Sequence, residues 1–206
     1  MKYLFTFLSV FFIANSGFSQ FGYGVTASTD VYHYYQNPED NTGVSTSAGS
    51  LLLNLGVGPK LWLGAESFSV SIEAQATIGL FGLSVKDYKG LGTVSYPILA
   101  KLNFGGLSGL DKEGKFGLSI GAGIQYTKTE LYYLTDEFEA KGGKRELYKV
   151  YVGQIGYGFG MSGVSAQAFV RYGYDPETNA KVFNFGVQYD LNLPKMKDIS
   201  DPNSEL

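Results

Sequence analysis

Eight segments of this chain alternate between apolar and polar residues with a period of two, and this alternation constrains the fold more than any other feature. A period of two places successive side chains on opposite faces of an extended strand, whereas a helix requires a period of 3.6. Glycines interrupt nearly every window in which a helix would have to run, so we expect no helices. The alternation predicts strands at 22–33, 49–64, 69–82, 93–105, 115–128, 148–160, 164–174 and 181–193.

The predicted strands are long enough to cross a membrane, because a tilted transmembrane β-segment needs about 9–11 residues. The connections after odd-numbered strands are mostly long and polar, at 34–48, 83–92, 129–147 and the shorter 175–180. Those after even-numbered strands are tighter, at 64–68, 106–114 and 161–163. Long outer loops that alternate with short periplasmic turns are typical of outer-membrane barrels. We therefore predict an all-β fold, an eight-stranded antiparallel up-and-down transmembrane β-barrel.

The N-terminus has the features of a secretory signal peptide. Lys2 precedes an apolar run, and small residues at Gly17 and Ser19 fit the spacing of a signal-peptidase site before Gln20. The run is too short to cross a bilayer as a helix, and it lacks the arginines of a mitochondrial transit peptide. The expected organisation is a signal peptide at 1–19, a barrel at 20–193 and a short disordered periplasmic tail at 194–206.

The composition argues against several classes of function. The chain has no cysteine, so it offers no disulfide framework, thiolate metal site or cysteine nucleophile. Its formal net charge of -3 combines mixed signs, and no basic surface for nucleic acid is indicated. With 28 glycines, 16 tyrosines and 15 phenylalanines against 17% charged residues, the chain is unlike ordinary soluble domains. We expect no cofactor and no nucleic-acid partner.

The polar face of the alternation distinguishes a membrane barrel from a soluble one. A soluble, lipocalin-like periplasmic ligand carrier, which is the alternative, would turn its apolar face inward and expose many Lys and Glu residues. Here the polar face carries mostly Gly, Ser, Thr, Asn and Gln, which favours a packed polar lumen inside an apolar exterior. Aromatic residues near the strand ends predict interfacial girdles, at Tyr23, Trp62, Phe104, Phe116 and Phe159 toward the periplasm and at Tyr96, Tyr126, Tyr151, Tyr172 and Phe183 toward the outside.

The last predicted strand contains a recognisable motif. Residues 184–191 read NFGVQYDL, which resembles the C-terminal assembly signal of outer-membrane barrels: polar, any, Gly, any, any, apolar, any, apolar. Segments 96–104 and 121–126 are similar to the small outer-membrane β-barrel domain family of OmpA- and OmpX-like barrels. The resemblance implies an eight-stranded barrel without a periplasmic domain, in the bacterial outer membrane. It also implies that the barrel-assembly machinery reads four residues by β-augmentation, namely Asn184, Gly186, Tyr189 and Leu191.

Charged residues on the polar faces of the strands point into the predicted lumen. They are Asp30, Glu73, Lys101, Arg171 and Asp190. Buried charges are costly unless they are paired, so we expect a salt-bridge network that fills the barrel. Inward glycines at 121, 123, 156 and 158 would make room for Lys101 and Arg171. The same charges would line a narrow conduit in an alternative interpretation, but an eight-stranded barrel is just wide enough for its own side chains, so no open pore is expected.

A catalytic alternative centres on the single histidine, His33. Small outer-membrane barrels include enzymes that modify lipid A, and these use His with Ser and an acid near the outer rim. The candidate partners in nearby loops are Ser45, Ser47, Asp40 and Asp136. No motif places a nucleophile against His33, whose neighbours indicate a girdle or loop position. We therefore predict no enzyme, no catalytic residue and, without a second histidine, no zinc site.

The connection 129–147 is the most distinctive outer loop. Alternation persists into its start, so it would form either a projecting β-fin with an exposed edge for a partner strand or a solvated loop. The sequence thus predicts a structural, adhesive or accessory role through extracellular loops. The expected partners are outer-membrane lipid, the barrel-assembly machinery, and an extracellular protein or surface ligand.

Overall fold

A computed structural model describes residues 20–39, 46–86, 89–110 and 114–200. The predicted signal peptide therefore lies outside the described residues. Within these ranges the chain forms eleven β-strands. They are β1 (Gln20–Gln36), β2 (Ala48–Leu52), β3 (Asn54–Ala65), β4 (Phe68–Ala74), β5 (Ala76–Gly79), β6 (Phe81–Lys86), β7 (Leu91–Gly105), β8 (Lys115–Tyr132), β9 (Tyr148–Met161), β10 (Val164–Tyr174) and β11 (Lys181–Asn192).

The strands close into a ring of eight antiparallel barrel strands, which confirms the predicted fold. β2 and β3 are parts of one barrel strand interrupted at Leu53, and β4, β5 and β6 are parts of another, interrupted at Gln75 and Leu80. Each barrel strand pairs antiparallel with its neighbours in sequence. β1 also pairs with β11 along most of its length, so the sheet has no gap between its first and last strands.

The two ends of the barrel carry different connections. The turns between β3 and β4 and between β9 and β10 are tight and lie at the end where β1 begins, which we call the inner end. The connections between β1 and β2, β6 and β7, β8 and β9, and β10 and β11 lie at the opposite, outer end. This arrangement matches the alternation of turns and loops expected from the sequence.

Three short helical segments accompany the strands. They are a 3-10 turn (Gly106–Ser108) at the inner end, α1 (Asp136–Ala140) in the β8–β9 connection and α2 (Leu193–Ser200) after β11. No helix within the described ranges is long and apolar enough to cross a membrane. The start of the predicted periplasmic tail forms α2, which packs on β1 and on the β9–β10 turn, where Lys195 lies against Gly163. The rest of the tail, residues 201–206, lies outside the described residues.

Side chains alternate between an apolar exterior and a polar lumen. The exposed outward set includes Leu55, Val57, Leu61, Ile72, Ile98, Leu102, Ile120, Ile155, Val170 and Phe185. The buried inward set includes Thr26, Ser28, Asn54, Ser71, Thr77, Ser95, Asn103, Ser119, Gln154 and Gln167. This polarity is the reverse of the one that a soluble ligand carrier requires.

Two aromatic side chains face the lumen although the sequence analysis placed them at the membrane interface or in a loop. Trp62 is 1% exposed, because it shares the inward face of β3 with Lys60. His33 is fully buried because the pairing of β1 with β11 shifts between Asp30 and Tyr32. This β-bulge inserts one residue and reverses the alternation beyond it. The girdle position expected for Trp62 and the girdle or loop position expected for His33 are therefore wrong.

Candidate functional site: a closed polar lumen

Four charged side chains meet inside the barrel. Lys60 Nζ lies 2.7 Å from Asp190 Oδ2 and 3.3 Å from Glu73 Oε2, while Lys101 Nζ lies 2.6 Å from Glu73 Oε1. The amide nitrogen of Gln188 donates to Glu73 at 3.0 Å and to Asp190 at 2.8 Å, and its oxygen accepts from Lys101 at 2.9 Å. Two ammonium groups thus balance two carboxylates among side chains that are at most 3% exposed, which is the condition for burying charge at tolerable cost. We call these five residues the central network.

Lys60 is the member that the sequence analysis left out of the network. It lies on the polar face of its strand, directly opposite Glu73 in the β3–β4 pairing, so parity alone would have included it. Gly121 makes room for Lys101 as expected, since a Cβ there would lie 2.5 Å from Lys101 Cγ. Gly156 instead makes room for Gln167, because its Cβ would lie 2.0 Å from the Gln167 Oε1 atom.

Arg171 lies in the lumen but outside the central network. Its Nε donates to Gln154 Oε1 at 2.8 Å, and its Nη1 donates to Gln125 Oε1 at 3.3 Å. The guanidinium carbon lies 5.2 Å from the ring centroid of Phe169. Among the residues that the structure describes, no carboxylate lies within ion-pair distance of Arg171, so amides and an aromatic ring solvate it in place of an acid.

Asp30 is the other predicted network residue that the structure places elsewhere. The Asn184 amide nitrogen donates to Asp30 Oδ2 at 2.6 Å and lies 2.7 Å from His33 Nδ1. Because an amide nitrogen can only donate, this contact fits the tautomer of His33 in which Nδ1 accepts. His33 Nδ1 lies 3.7 Å from Asp30 Oδ2. These three residues form a second polar group beside the central network.

The catalytic alternative finds its residues dispersed. His33 is enclosed in the lumen, and Ser47 donates its hydroxyl proton to Glu130 at 2.9 Å. Asp136 begins α1 in the β8–β9 connection, whereas Ser45 and Asp40 lie outside the described residues. Over the described part of the chain, no group of three or more His, Cys, Asp or Glu side chains is placed to hold a metal ion.

An aromatic and apolar plug closes the inner end. Trp62, Leu107 and Leu110 are each at most 1% exposed, and the 3-10 turn that carries Leu107 contacts strands on both sides of the barrel mouth. Asn192 Nδ2 donates to the carbonyl oxygen of Gly109 at 2.8 Å. Gly109 has a φ of 72°, and a Cβ there would lie 2.7 Å from Trp62 Nε1. Glycine is therefore required for the turn to pack on the indole.

A buried ion pair closes the outer end. Nη2 and Nε of Arg145 each lie 2.5 Å from Glu130 Oε2, and Glu130 Oε1 accepts from Ser47 at 2.9 Å and from Tyr35 at 3.2 Å. The guanidinium also stacks 4.6 Å from the ring centroid of Phe138, which is 1% exposed. The β8–β9 connection is thus held over the outer mouth and does not project as a β-fin. Most of residues 133–147 are nevertheless exposed, as expected for a solvated loop.

Apolar side chains line the lumen near this outer closure. They are Leu99, Val150, Val152, Ala180 and Val182, with Tyr148 packed against them. On β9, Val150 and Val152 lie closer to the outer end of the barrel than Gln154, which contacts Arg171. From the inner to the outer end, the lumen therefore contains an apolar plug, then polar groups, then a layer of apolar side chains, and finally the ion pair that covers the outer mouth.

The four residues of the predicted assembly signal divide between the two faces of β11. Tyr189 and Leu191 point outward and are exposed, whereas Asn184 is fully buried in the lumen. Gly186 lies opposite Asp30 at the bulge, where a Cβ would be 2.3 Å from the carbonyl oxygen of Thr29. Gly186 is therefore needed locally to bring β1 and β11 together. The role of the motif in assembly stays a prediction.

The exterior decides what kind of barrel this is. Outward aromatic residues border the apolar band at both ends, and they include Tyr23, Phe104, Phe116 and Phe159 at the inner end and Tyr96, Tyr151 and Tyr172 at the outer end. An apolar surface of this extent around a polar core is stable in a bilayer and not in water. The chain is an eight-stranded transmembrane β-barrel. Its lumen is closed by side chains at both ends.

The comparisons with known proteins give similarity of structure only. No family model matches the chain, and no curated protein does. The barrel is similar to the crystal structure of Neisserial surface protein A, with 13% identity, a TM-score of 0.46 and coverage of 85% of this chain and 99% of that one. It is also similar to the N-terminal β-barrel domain of Pseudomonas aeruginosa OprF, with 12% identity, a TM-score of 0.40 and coverage of 84% of this chain and 100% of that one. A third similar structure is Ail, the attachment invasion locus protein of Yersinia pestis, with 13% identity, a TM-score of 0.40 and coverage of 82% of this chain and 97% of that one.

Proposed function

We propose that this barrel resides in the bacterial outer membrane, does not conduct, and has a structural, adhesive or accessory role exercised through its outer end. The apolar exterior with its aromatic borders supports the membrane location. The proposal includes export with cleavage before Gln20. It also includes assembly through Asn184, Gly186, Tyr189 and Leu191 by the barrel-assembly machinery.

The closed lumen is the observation that carries the proposal. The central network fills the interior with paired charges, with Lys60, Glu73, Lys101 and Asp190 at most 3% exposed. Trp62 closes the inner end, and the Glu130–Arg145 pair closes the outer end. A barrel of eight strands that is filled in this way leaves no continuous path for ions. Its function must therefore be carried by its surfaces.

The outer end offers a surface for an extracellular partner. Asp136, Glu137 and Glu139 on α1 are exposed, and Tyr133 beside them is 80% exposed. Phe138 on this helix is buried against Arg145, and Arg145 is ion-paired with Glu130 on β8. The exposed side chains are therefore presented on a backbone that is tied to the barrel. Such a surface is suited to an extracellular protein or surface ligand that complements acidic and aromatic groups.

We further propose that the protein is not an enzyme. The imidazole of His33 is enclosed with Asp30 and Asn184, and lipid at the outer rim has no route to it. The His33→Ala variant should leave the lipid A of the host membrane chemically unchanged relative to wild type, as measured by mass spectrometry of extracted lipid. A lipid A species that disappears with this variant would contradict the proposal.

Two measurements on the intact protein test the main proposal. The first is membrane fractionation followed by electrophoresis with and without boiling in detergent, because folded membrane barrels migrate differently from unfolded ones. The second is the conductance of the purified barrel in planar bilayers. We expect a detergent-extracted, heat-shifted band and no channel activity. A soluble, unshifted protein would contradict the location, and regular single-channel steps would contradict the closed lumen.

A further inference from the structure

The outer rim of the barrel carries a row of lysine and tyrosine side chains on its membrane-facing surface. Tyr151 on β9 is the direct antiparallel partner of Tyr174 on β10, and Tyr174 is the direct partner of Lys181 on β11. Lys149 lies on the same face of β9, two residues closer to the outer end than Tyr151. We call these four residues the Lys–Tyr strip. It spans three adjacent strands at the outer edge of the apolar band.

Each lysine of the strip lies over a tyrosine ring. Lys149 Nζ lies 4.8 Å from the ring centroid of Tyr151 and donates to its hydroxyl oxygen at 3.2 Å. Lys181 Nζ lies 5.9 Å from the ring centroid of Tyr174. Within the described ranges, no carboxylate lies within 4.0 Å of either ammonium group. Lys149 is thus held at the interface by the ring and hydroxyl of Tyr151, and Lys181 by a tyrosine ring alone. The charge of Asp175 acts on Lys149 from beyond ion-pair distance.

The surface directly below the strip is apolar. Toward the middle of the barrel, the outward positions of the same strands are Tyr172, Val170, Ile155 and Phe185, all between 43% and 58% exposed. A ligand that occupies the strip therefore has cations and hydroxyls against one part and exposed apolar side chains against the next. A charged head joined to hydrocarbon chains has this division, and a soluble anion or a protein surface lacks it.

We propose that the Lys–Tyr strip binds the phosphate group of an acylated lipid in the outer leaflet. The two ammonium groups supply positive charge to the phosphate oxygens, and the hydroxyl of Tyr151 adds a hydrogen-bond donor. The acyl chains then lie along Ile155, Val170 and Phe185. This inference rests on the proposed function in one respect, namely that the barrel stands in an outer membrane with the strip at the outer leaflet.

The test uses the whole protein, purified and inserted in phosphatidylcholine nanodiscs. The probes are lipid A that carries its phosphates and lipid A from which they have been removed, and native mass spectrometry measures the bound lipid. The test variant is Lys149→Gln with Lys181→Gln. The matched control is Lys141→Gln with Lys144→Gln, which removes the same charge from exposed lysines of the outer connection that are not part of the strip.

We expect each strip lysine to contribute about a fivefold change in apparent affinity for phosphorylated lipid A, and the double variant to lose roughly 25-fold. The control variant should bind like wild type. Removal of the phosphates should weaken binding to wild type and abolish the difference between the variants. Glycerol phosphate, which carries a phosphate group without acyl chains, should not displace the lipid.

Three results would overturn the inference. They are a strip variant that binds phosphorylated lipid A like the control, equal binding of the two lipid A forms by wild type, and displacement by glycerol phosphate, which would indicate a site for free anions. The heat-dependent gel shift of every variant verifies folding. Failure of the proposed function appears separately, as a wild-type protein that does not enter the membrane fraction.

Discussion

The two ends of the barrel are closed by different chemistry. At the inner end, Trp62 and Leu107 fill the mouth beneath a short turn that follows directly on β7. At the outer end, a connection of fifteen residues between β8 and β9 is held down by Glu130 and Arg145. The inner closure depends on apolar burial and backbone shape, whereas the outer closure depends on one buried ion pair.

The difference teaches how each closure responds to change. Apolar burial is distributed over many contacts, so its loss lowers the stability of the whole barrel. A buried ion pair concentrates its effect, because removing one member leaves the other charged and without compensation. A single substitution should therefore release the outer connection and leave the strands intact, while the inner plug should fail only together with the barrel.

The largest effect is expected from Trp62→Ala. The substitution removes a fully buried indole and leaves a cavity beside the central network, which should lower the free energy of unfolding by roughly 3–5 kcal/mol. The temperature at which the heat-shifted band is lost measures this change. Protease resistance of the outer connection should stay as in wild type at temperatures where the barrel is folded. Faster cleavage there would show that the two closures are coupled.

A smaller and local effect is expected from Arg145→Ala. The substitution leaves the Glu130 carboxylate without its partner, which should lower the free energy of opening the outer connection by about 3 kcal/mol. This is the lower end of the range for buried pairs, because Arg145 retains 6% exposure. Chymotrypsin should then cleave at Tyr133 or Phe138 far faster than in wild type, while the gel shift persists.

The control for this variant is Arg145→Ala combined with Glu130→Gln. Removing the uncompensated charge should restore part of the resistance to chymotrypsin, because paired residues show non-additive effects. If the two substitutions instead add, packing of Arg145 on Phe138 holds the connection and the ion pair does not.

A third and smaller effect concerns the shape of the inner turn. Gly109→Ala places a side chain at a φ of 72°, against the indole of Trp62. The left-handed conformation alone should cost roughly 1–2 kcal/mol. Thermal denaturation of the gel shift measures it, with the exposed Gly142→Ala as a control: this position also has positive φ, 69°, but nothing lies near its Cβ. Equal losses in both variants would assign the whole effect to backbone strain.

The smallest effect is expected at the surface of α1. Lys141 donates to Glu137 at 2.6 Å, and this hydrogen bond, together with the lysine charge, lowers the pKa of the Glu137 carboxyl. A lowered pKa in the folded state means that the pair supports α1 above the ordinary pKa of glutamate, and that this support is lost as the pH falls through the lowered value. Hydrogen exchange over residues 136–140 should speed up on acidification, relative to the barrel strands. Lys141→Gln should remove that dependence.

The strands were predictable because their signal is local. All eight predicted segments coincide with barrel strands, and the outward and inward sets agree wherever strict alternation holds. The errors lie where one local rule was set aside or broken. Trp62 follows the alternation, yet its aromatic identity favoured the membrane interface. His33 breaks the alternation because of a bulge against β11, a feature of strand pairing that β1 by itself does not reveal.

The lumen was predictable in composition but not in its pairs. Alternation identified the inward charges, yet the contacts join residues that are distant in sequence, as with Lys60 and Asp190, which are 130 positions apart. Which acid meets which base depends on the stagger of the strands around the barrel. Arg171 accordingly lies with amides, where the sequence analysis expected it within a salt-bridge network.

The sequence by itself determined the class of fold and the two faces of the wall, because a period of two and the choice of residues on each face act strand by strand. Only the tertiary structure decided how the barrel is closed. Each closing contact joins separate strands or connections. They are the Glu130–Arg145 ion pair, the packing of Trp62 against Gly109, and the polar group of Asp30, His33 and Asn184. Such contacts form only when the ring of strands has closed and the register between neighbouring strands is fixed. A local sequence pattern therefore cannot predict them.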